Sequence, residues 1–139
     1  MKSYNLLDEP WLPVRYTDGQ VREIGLLQLF ADAGRIAALA ETAPPNLIAL
    51  YRLLLAITHR ALTLQSGSWT AKEVVRYFRE GLPVEAIHAY LEHWRERFYV
   101  FHPEYPFMQV ALLATAEETR NKSKPWTQIA LESSNGNAP

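Results

Sequence analysis

Between Phe98 and Val110 the chain reads FYVFHPEYPFMQV, thirteen residues that hold five phenylalanine and tyrosine rings, a histidine and two prolines. No regular helix or strand accommodates that run. Each proline lacks an amide donor and pushes the residue before it out of the helical region, so His102-Pro103 and Tyr105-Pro106 must be extended or turned. So many rings on an irregular backbone need a surface to lie against. The segment is therefore expected to leave the preceding helix as a fixed ribbon whose side chains plug a core built by the upstream elements.

Those elements can be read in order. Trp11 to Tyr16 and Gln20 to Ile24 flank Thr17-Asp18-Gly19, a hairpin signal with glycine at the positive-φ position. Pro13 cannot donate to a central ladder, so the first strand is expected at an edge, or to begin after it. Gly25 to Ala33 reads as a short helix with Leu26, Leu29 and Phe30 on one side and Gly34 as its stop. Pro44-Pro45 opens the longest helix, which carries Arg52, His59, Arg60 and Thr63 near one face. Leu47, Ile48, Leu50, Leu53, Leu54, Leu55, Ile57, Ala61 and Leu62 cover the rest, an arc wide enough to predict burial on several sides.

The next helix has three start signals that agree: Thr70 as N-cap, Glu73 closing a capping box, and Trp69 placed to staple onto Val74. It stops at Gly81. Leu82-Pro83 starts another, whose stripe Val84, Ile87, Leu91, Trp94 and Phe98 leads into the ribbon. Glu85, His88, Glu92, Arg95 and Glu96 form its solvated face, with Glu92 and Arg95 spaced to pair. Beyond the ribbon, Ala111 to Glu118 is ambiguous. A short helix starts at Pro125-Trp126, and Ser133 to Pro139 opens a loop that the chain leaves unfinished. The fold class is α+β and predominantly helical: an N-terminal β-hairpin, then about five helices and the aromatic, proline-rich connector.

Composition narrows the function. With 139 residues, 48% of them apolar, four tryptophans and seven tyrosines, the chain can fold around its own core. A formal net charge of -1 gives no bulk attraction to nucleic acid or anionic membrane. The absence of cysteine excludes a disulfide framework, thiolate metal sites and cysteine nucleophiles. The N-terminus has no signal-peptide core, and Leu47 to Leu64 is interrupted by Arg52, His59 and Arg60, short of a membrane span; a cytoplasmic protein without a membrane partner is expected.

Catalytic spacing is hard to find. His59, His88, His93 and His102 contain no i, i+4 pair, so no metal or cofactor is expected. His102 is read as a ring nitrogen capping the bend it occupies, ahead of a role as base or ligand. Glu117 and Glu118 diverge by about 100 degrees on a helix and make no acid/base dyad. A hydrolase using His102 and Glu104 is thus disfavoured. Arg120, Lys122 and Lys124, followed by Trp126, form the one local group suited to phosphate contact with stacking nearby; a solvated connector explains them equally well. The ribbon could stack bases, but core plugs explain its rings more simply.

The chain resembles the large subunit, CasA, of the type I-E CRISPR surveillance complex, Cascade. Asn5-Leu6-Leu7-Asp8-Glu9-Pro10-Trp11-Leu12-Pro13-Val14 is similar to that family's N-L-L-x(n)-W-I-P-V start, and Leu26-Leu27-Gln28-Leu29-Phe30 to the L-x-x-L-F/Y helix after its hairpin. Phe98 to Gln109 resembles the more specific F-x-L-x-H-x-x-x-P-F-M-Q segment, with Val100 in the leucine position. Ser134-Asn135-Gly136-Asn137 is similar to the S-G-N-N sequence entering the first recognition loop of many members.

The resemblance implies a non-catalytic subunit. Its partners would be the other Cascade subunits, the guide RNA, target double-stranded DNA and the Cas3-type helicase-nuclease. Nucleic-acid contact would fall on Ser134, Asn135, Gly136 and Asn137, with Arg120, Lys122 and Lys124 beside them. Residues 1-139 would be the first part of a larger N-terminal domain. The family's glycine loop, lysine finger, glutamine wedge and C-terminal four-helix bundle would lie past Pro139, and the cysteines that bind a structural metal in some members have no counterpart here. The alternative is a helical protein-protein interaction scaffold without nucleic-acid contact.

Overall fold

The structure is a computed structural model that describes residues 4–67 and 70–109. It begins with a three-stranded antiparallel sheet of order β2-β1-β3, made of β1 (Leu12–Tyr16), β2 (Val21–Ile24) and β3 (Ile36–Leu39). Leu12, Val14 and Tyr16 of β1 are buried and alternate with Pro13 and Arg15, the period-2 pattern of a strand with one wet face. The hairpin pairs Leu12 with Ile24 and Arg15 with Val21, and Gly19 takes φ 86° at its turn.

β1 is the central strand, against the expectation that Pro13 would hold it at an edge. The first β1–β3 pair is Val14 with Leu39, one residue beyond Pro13, and the Pro13 carbonyl accepts from the Ala40 amide at 2.7 Å. A strand residue's N–H and C=O point to the same side, so the missing donor falls where β3 runs out and no interior ladder bond is lost. β3 itself had no counterpart in the sequence reading. Ala37 and Ala38 are weak strand formers, and the segment is held by the open side of β1.

Four helices follow the pattern read from sequence: α1 (Leu26–Ala31), α2 (Pro44–Ser66), α3 (Ala71–Glu80) and α4 (Val84–His93). The fifth, expected at Pro125-Trp126, lies outside the described residues, as does the Trp69 staple. The capping box at Thr70 is present, with the Glu73 carboxylate accepting from the Thr70 amide at 2.8 Å. α4 ends earlier than its stripe suggested, at His93, and a 3-10 turn over Arg95–Phe98 carries the chain into the ribbon.

The core gathers Leu12, Val14 and Tyr16 from β1, Leu26, Leu29 and Phe30 from α1, Ile57 and Ala61 from α2, and Ile87, Leu91 and Phe98 from the last helix and turn. His88, expected in solvent, is half-buried, and its Nε2 donates to the Leu27 carbonyl at 2.9 Å, tying α4 to α1. α2 departs further from expectation. Only one stripe is buried, while Ile48, Tyr51, Leu55 and Leu64 stand exposed. By length and composition α2 is able to cross a membrane, a correction to the reading that it falls short.

Candidate functional site

Two of the segments that carry the family resemblance, ninety residues apart in sequence, meet in space. Leu6 donates to the Phe98 carbonyl at 3.0 Å and Val100 to that of Tyr4 at 2.9 Å, with an antiparallel bridge between Asn5 and Tyr99. Asn5 is 4% exposed, and both ends of its side-chain amide are bonded: Oδ1 accepts from the Leu7 amide at 2.9 Å, and Nδ2 donates to the Arg95 carbonyl at 3.2 Å. An unpaired amide at such burial would cost about 1 to 3 kcal/mol, so these partners specify the residue. The Leu6 and Leu7 carbonyls accept from Leu26 and Leu27, both at 3.1 Å, which seats the N-terminal segment on the start of α1.

An ion network closes the same junction from outside. Arg95 donates to both Glu92 oxygens at 2.7 Å and to the Asp8 carboxylate. Those hydrogen bonds, Glu92 first and Asp8 second, raise the guanidinium's already high pKa. In return Arg95 holds the Glu92 carboxyl below its ordinary range. The expected Glu92–Arg95 pair is present, and Asp8 extends it across the chain.

Past Phe98 the ribbon folds back on itself. Phe107 donates to the Tyr99 carbonyl at 3.0 Å, and the Gln109 side-chain amide to that of Val100 at 2.9 Å. Met108 takes φ 51°, the one described non-glycine residue in the left-handed region. His102 caps the bend as expected: its Nδ1 accepts from the amides of Glu104 at 3.2 Å and Tyr105 at 2.9 Å. That lone pair is committed to the backbone, so Nδ1 is not available as a base for the disfavoured hydrolase reading. Arg97 lies 4.1 Å over the Tyr105 ring, whose other neighbour is the stacked His102 ring at 5.4 Å.

The rings plug the core less completely than expected. Phe98 is buried, with Phe107 stacked against it at 5.3 Å, but Phe101 is 71% exposed and Tyr105 and Met108 also face solvent. Phe107 and Met108 instead line a groove of about 590 Å³ together with Trp11, Leu50, Arg52 and Leu53. The wall is apolar, suited to covering by another apolar surface.

The residues assigned to nucleic-acid contact from sequence, Arg120, Lys122, Lys124, Ser134, Asn135, Gly136 and Asn137, all lie outside the described residues. The described part contributes the junction that precedes them. Sequence reading missed Asn5 and Asp8 as its fasteners. The available signal was an asparagine directly before an apolar pair and a turn, where Asn side chains bond their own backbone two residues on.

Comparison with known proteins agrees with this geometry. The family model for CRISPR-associated protein Cse1 matches residues 5–139. CRISPR-associated protein CasA/Cse1 of Thermus thermophilus is 38% identical over 140 residues, covering all of this chain and 26% of that protein. The crystal structure of Thermus thermophilus CasA superposes with a TM-score of 0.75 at 39% identity, over 96% of this chain and 27% of that one. A chain of a CRISPR RNA-guided surveillance complex superposes with a TM-score of 0.65 at 28% identity, over 77% of this chain and 23% of that one. The chain thus spans about a quarter of the length of the relatives it matches. With both signature segments interlocked and the match running from Asn5 to Pro139, the chain belongs to the CRISPR-associated protein Cse1 (CasA) family.

Proposed function

We propose that this chain acts as the N-terminal portion of a non-catalytic subunit in a cytoplasmic, RNA-guided antiviral surveillance complex. In this reading the subunit helps recognise the DNA motif beside the target, contacts the 5' end of the guide RNA, and recruits the Cas3-type helicase-nuclease. The loop opening at Ser134 lies near the guide end, with backbone amides at Asn135, Gly136 and Asn137 as its contacts, and Arg120, Lys122 and Lys124 meet nearby phosphates. The observation that carries the reading is the interlocking of Tyr4–Leu6 with Phe98–Val100, which joins the two signature segments ahead of those residues. Likeness to a chain of the surveillance complex supports it.

The test adds the full-length protein, of which this chain is the N-terminal portion, to a guide-loaded Cascade core and follows target binding by mobility shift. Motif-dependent binding is expected only when the protein is present; equal binding without it overturns the reading. A scaffold without nucleic-acid contact is the second reading, favoured by the exposed apolar side chains Ile48, Leu55 and Phe78. Core binding that survives replacement of Asn135, Gly136 and Asn137 by alanine decides for the scaffold.

A further inference from the structure

Inside the ribbon, one titratable side chain holds a stretch of backbone that no helix or strand holds. His102 is largely buried, with 20% of its side chain exposed, and its Nδ1 accepts from the amides of Glu104 at 3.2 Å and Tyr105 at 2.9 Å. An imidazole nitrogen that accepts carries no proton, so the hydrogen of the neutral ring sits on Nε2. Nε2 lies 3.9 Å from a carboxylate oxygen of Glu96, on the 3-10 turn that leads into the ribbon. The loop around the ring is closed by Phe107 donating to the Tyr99 carbonyl and by the Gln109 side chain donating to that of Val100.

We propose that His102 is a proton-operated latch on the ribbon: neutral, it closes the bend through Nδ1; protonated, it pairs with Glu96 and releases the Glu104 and Tyr105 amides. The step adds one solvent proton to Nδ1 and breaks no covalent bond. An N–H at that position faces two other N–H donors, so both hydrogen bonds are lost together. The new charge is met by the Glu96 carboxylate and by the Tyr105 ring stacked at 5.4 Å. Arg97, 4.1 Å from that same ring, opposes it, and Glu104 adds a second carboxylate within the bend. Two amide bonds are thus exchanged for one ion pair, an exchange small enough for a change in pH to reverse. The opening is local, because the bonds from Val100 to Tyr4 and from Leu6 to Phe98 do not pass through the ring. Its consequence falls on Phe107 and Met108, which follow the bend into the groove beside Trp11.

The experiment is hydrogen exchange read by mass spectrometry on the full-length protein, at about pH 8 and about pH 5, the two sides of the range in which histidine titrates. Rates are corrected for the intrinsic effect of pH. The peptide from Phe101 to Gln109 is expected to lose protection in acid by about fivefold or more, the scale of one net hydrogen bond. The amides of Leu26 and Leu27, bonded to Leu6 and Leu7, should keep theirs. His102→Gln, which cannot titrate, should show equal protection at both pH values. Glu96 is 77% exposed, so Glu96→Gln leaves the fold intact, removes the partner of the charged ring, and should need more acid to open the bend. Histidine-labelled NMR at about pH 8 should find the ring proton on Nε2. Any of four results overturns the latch: a proton on Nδ1, unchanged protection in wild type, an equal acid loss in His102→Gln, or a Glu96→Gln response identical to wild type. Should His102→Gln fail to fold, the tautomer and the Glu96→Gln response still decide.

Discussion

A methyl group added to Gly25 would sit 2.5 Å from the Leu7 carbonyl oxygen and 2.9 Å from the Asp8 carbonyl carbon. Both neighbours are backbone, and both belong to the segment that fastens the N-terminus to the ribbon. Gly25 has φ -83°, a conformation open to any residue, so the requirement is space and not backbone freedom. Gly25→Ala is therefore expected to push Leu6 and Leu7 off the amides of Leu26 and Leu27 and to cost about 1 to 3 kcal/mol, as overpacking does. Gly34 gives the control. A Cβ there meets nothing within 4 Å, and Gly34→Ala should stay within about 0.5 kcal/mol of wild type. Urea unfolding of the two variants checks the pair, and equal destabilisation would mean that the close approach at Gly25 is not what limits the site.

Among the elements, the ribbon shows what a sequence can and cannot disclose. Its irregular path follows from two prolines, and the cap at His102 follows from a ring nitrogen beside a bend; both are local and both were legible. Which rings reach the core was not, because that depends on Tyr4–Leu6, ninety residues away. Only Phe98 and Phe107 turn inward. Truncating a fully buried ring to alanine costs about 3 to 5 kcal/mol. Half-buried and stacked on Phe98, Phe107 retains less, about 1.5 to 3 kcal/mol from lost area and ring contact, while Phe101→Ala should change stability by less than about 0.5 kcal/mol. Thermal melts that rank Phe101→Ala as the more damaging change would place the anchor elsewhere. The same distinction between local and distant causes separates the capping box at Thr70, which four consecutive residues disclose, from β3, which exists because β1 offers it an edge.

At the scale of the molecule, periodicity gave the order of elements but could not tell a face buried in this chain from one left open. The exposed sides of α2 and α3 look like core in the sequence for that reason, and of the residues proposed for nucleic-acid contact only Ser134 to Asn137 rest on family resemblance alone, Arg120, Lys122 and Lys124 being read from their own charges. A property that does belong to the whole fold is its response to pH, because Tyr16 and Asp32 join the sheet to the end of α1. The Tyr16 hydroxyl donates to Asp32 at 2.9 Å and the Gln28 amide at 2.6 Å. Hydrogen bonds from Gln28 and then Tyr16 hold the Asp32 carboxyl below its ordinary range. Burial, followed by the bond to Asp32, pushes the Tyr16 hydroxyl up. Folded Asp32 binds its proton less tightly than the unfolded chain does, so its contribution is complete above the ordinary carboxylate value of about 4 and is lost as pH falls through the folded value. Tyr16 runs the other way. Its folded form keeps the proton, so its contribution is complete below about 10 and is lost as pH rises through the folded value. The melting temperature should therefore hold a plateau between those limits and fall at both ends. Asp32→Asn should flatten the acid limb relative to its own plateau, and should soften the alkaline limb without abolishing it, since burial of Tyr16 remains. A variant profile with both limbs as steep as wild type would show that this cluster does not couple the fold to pH.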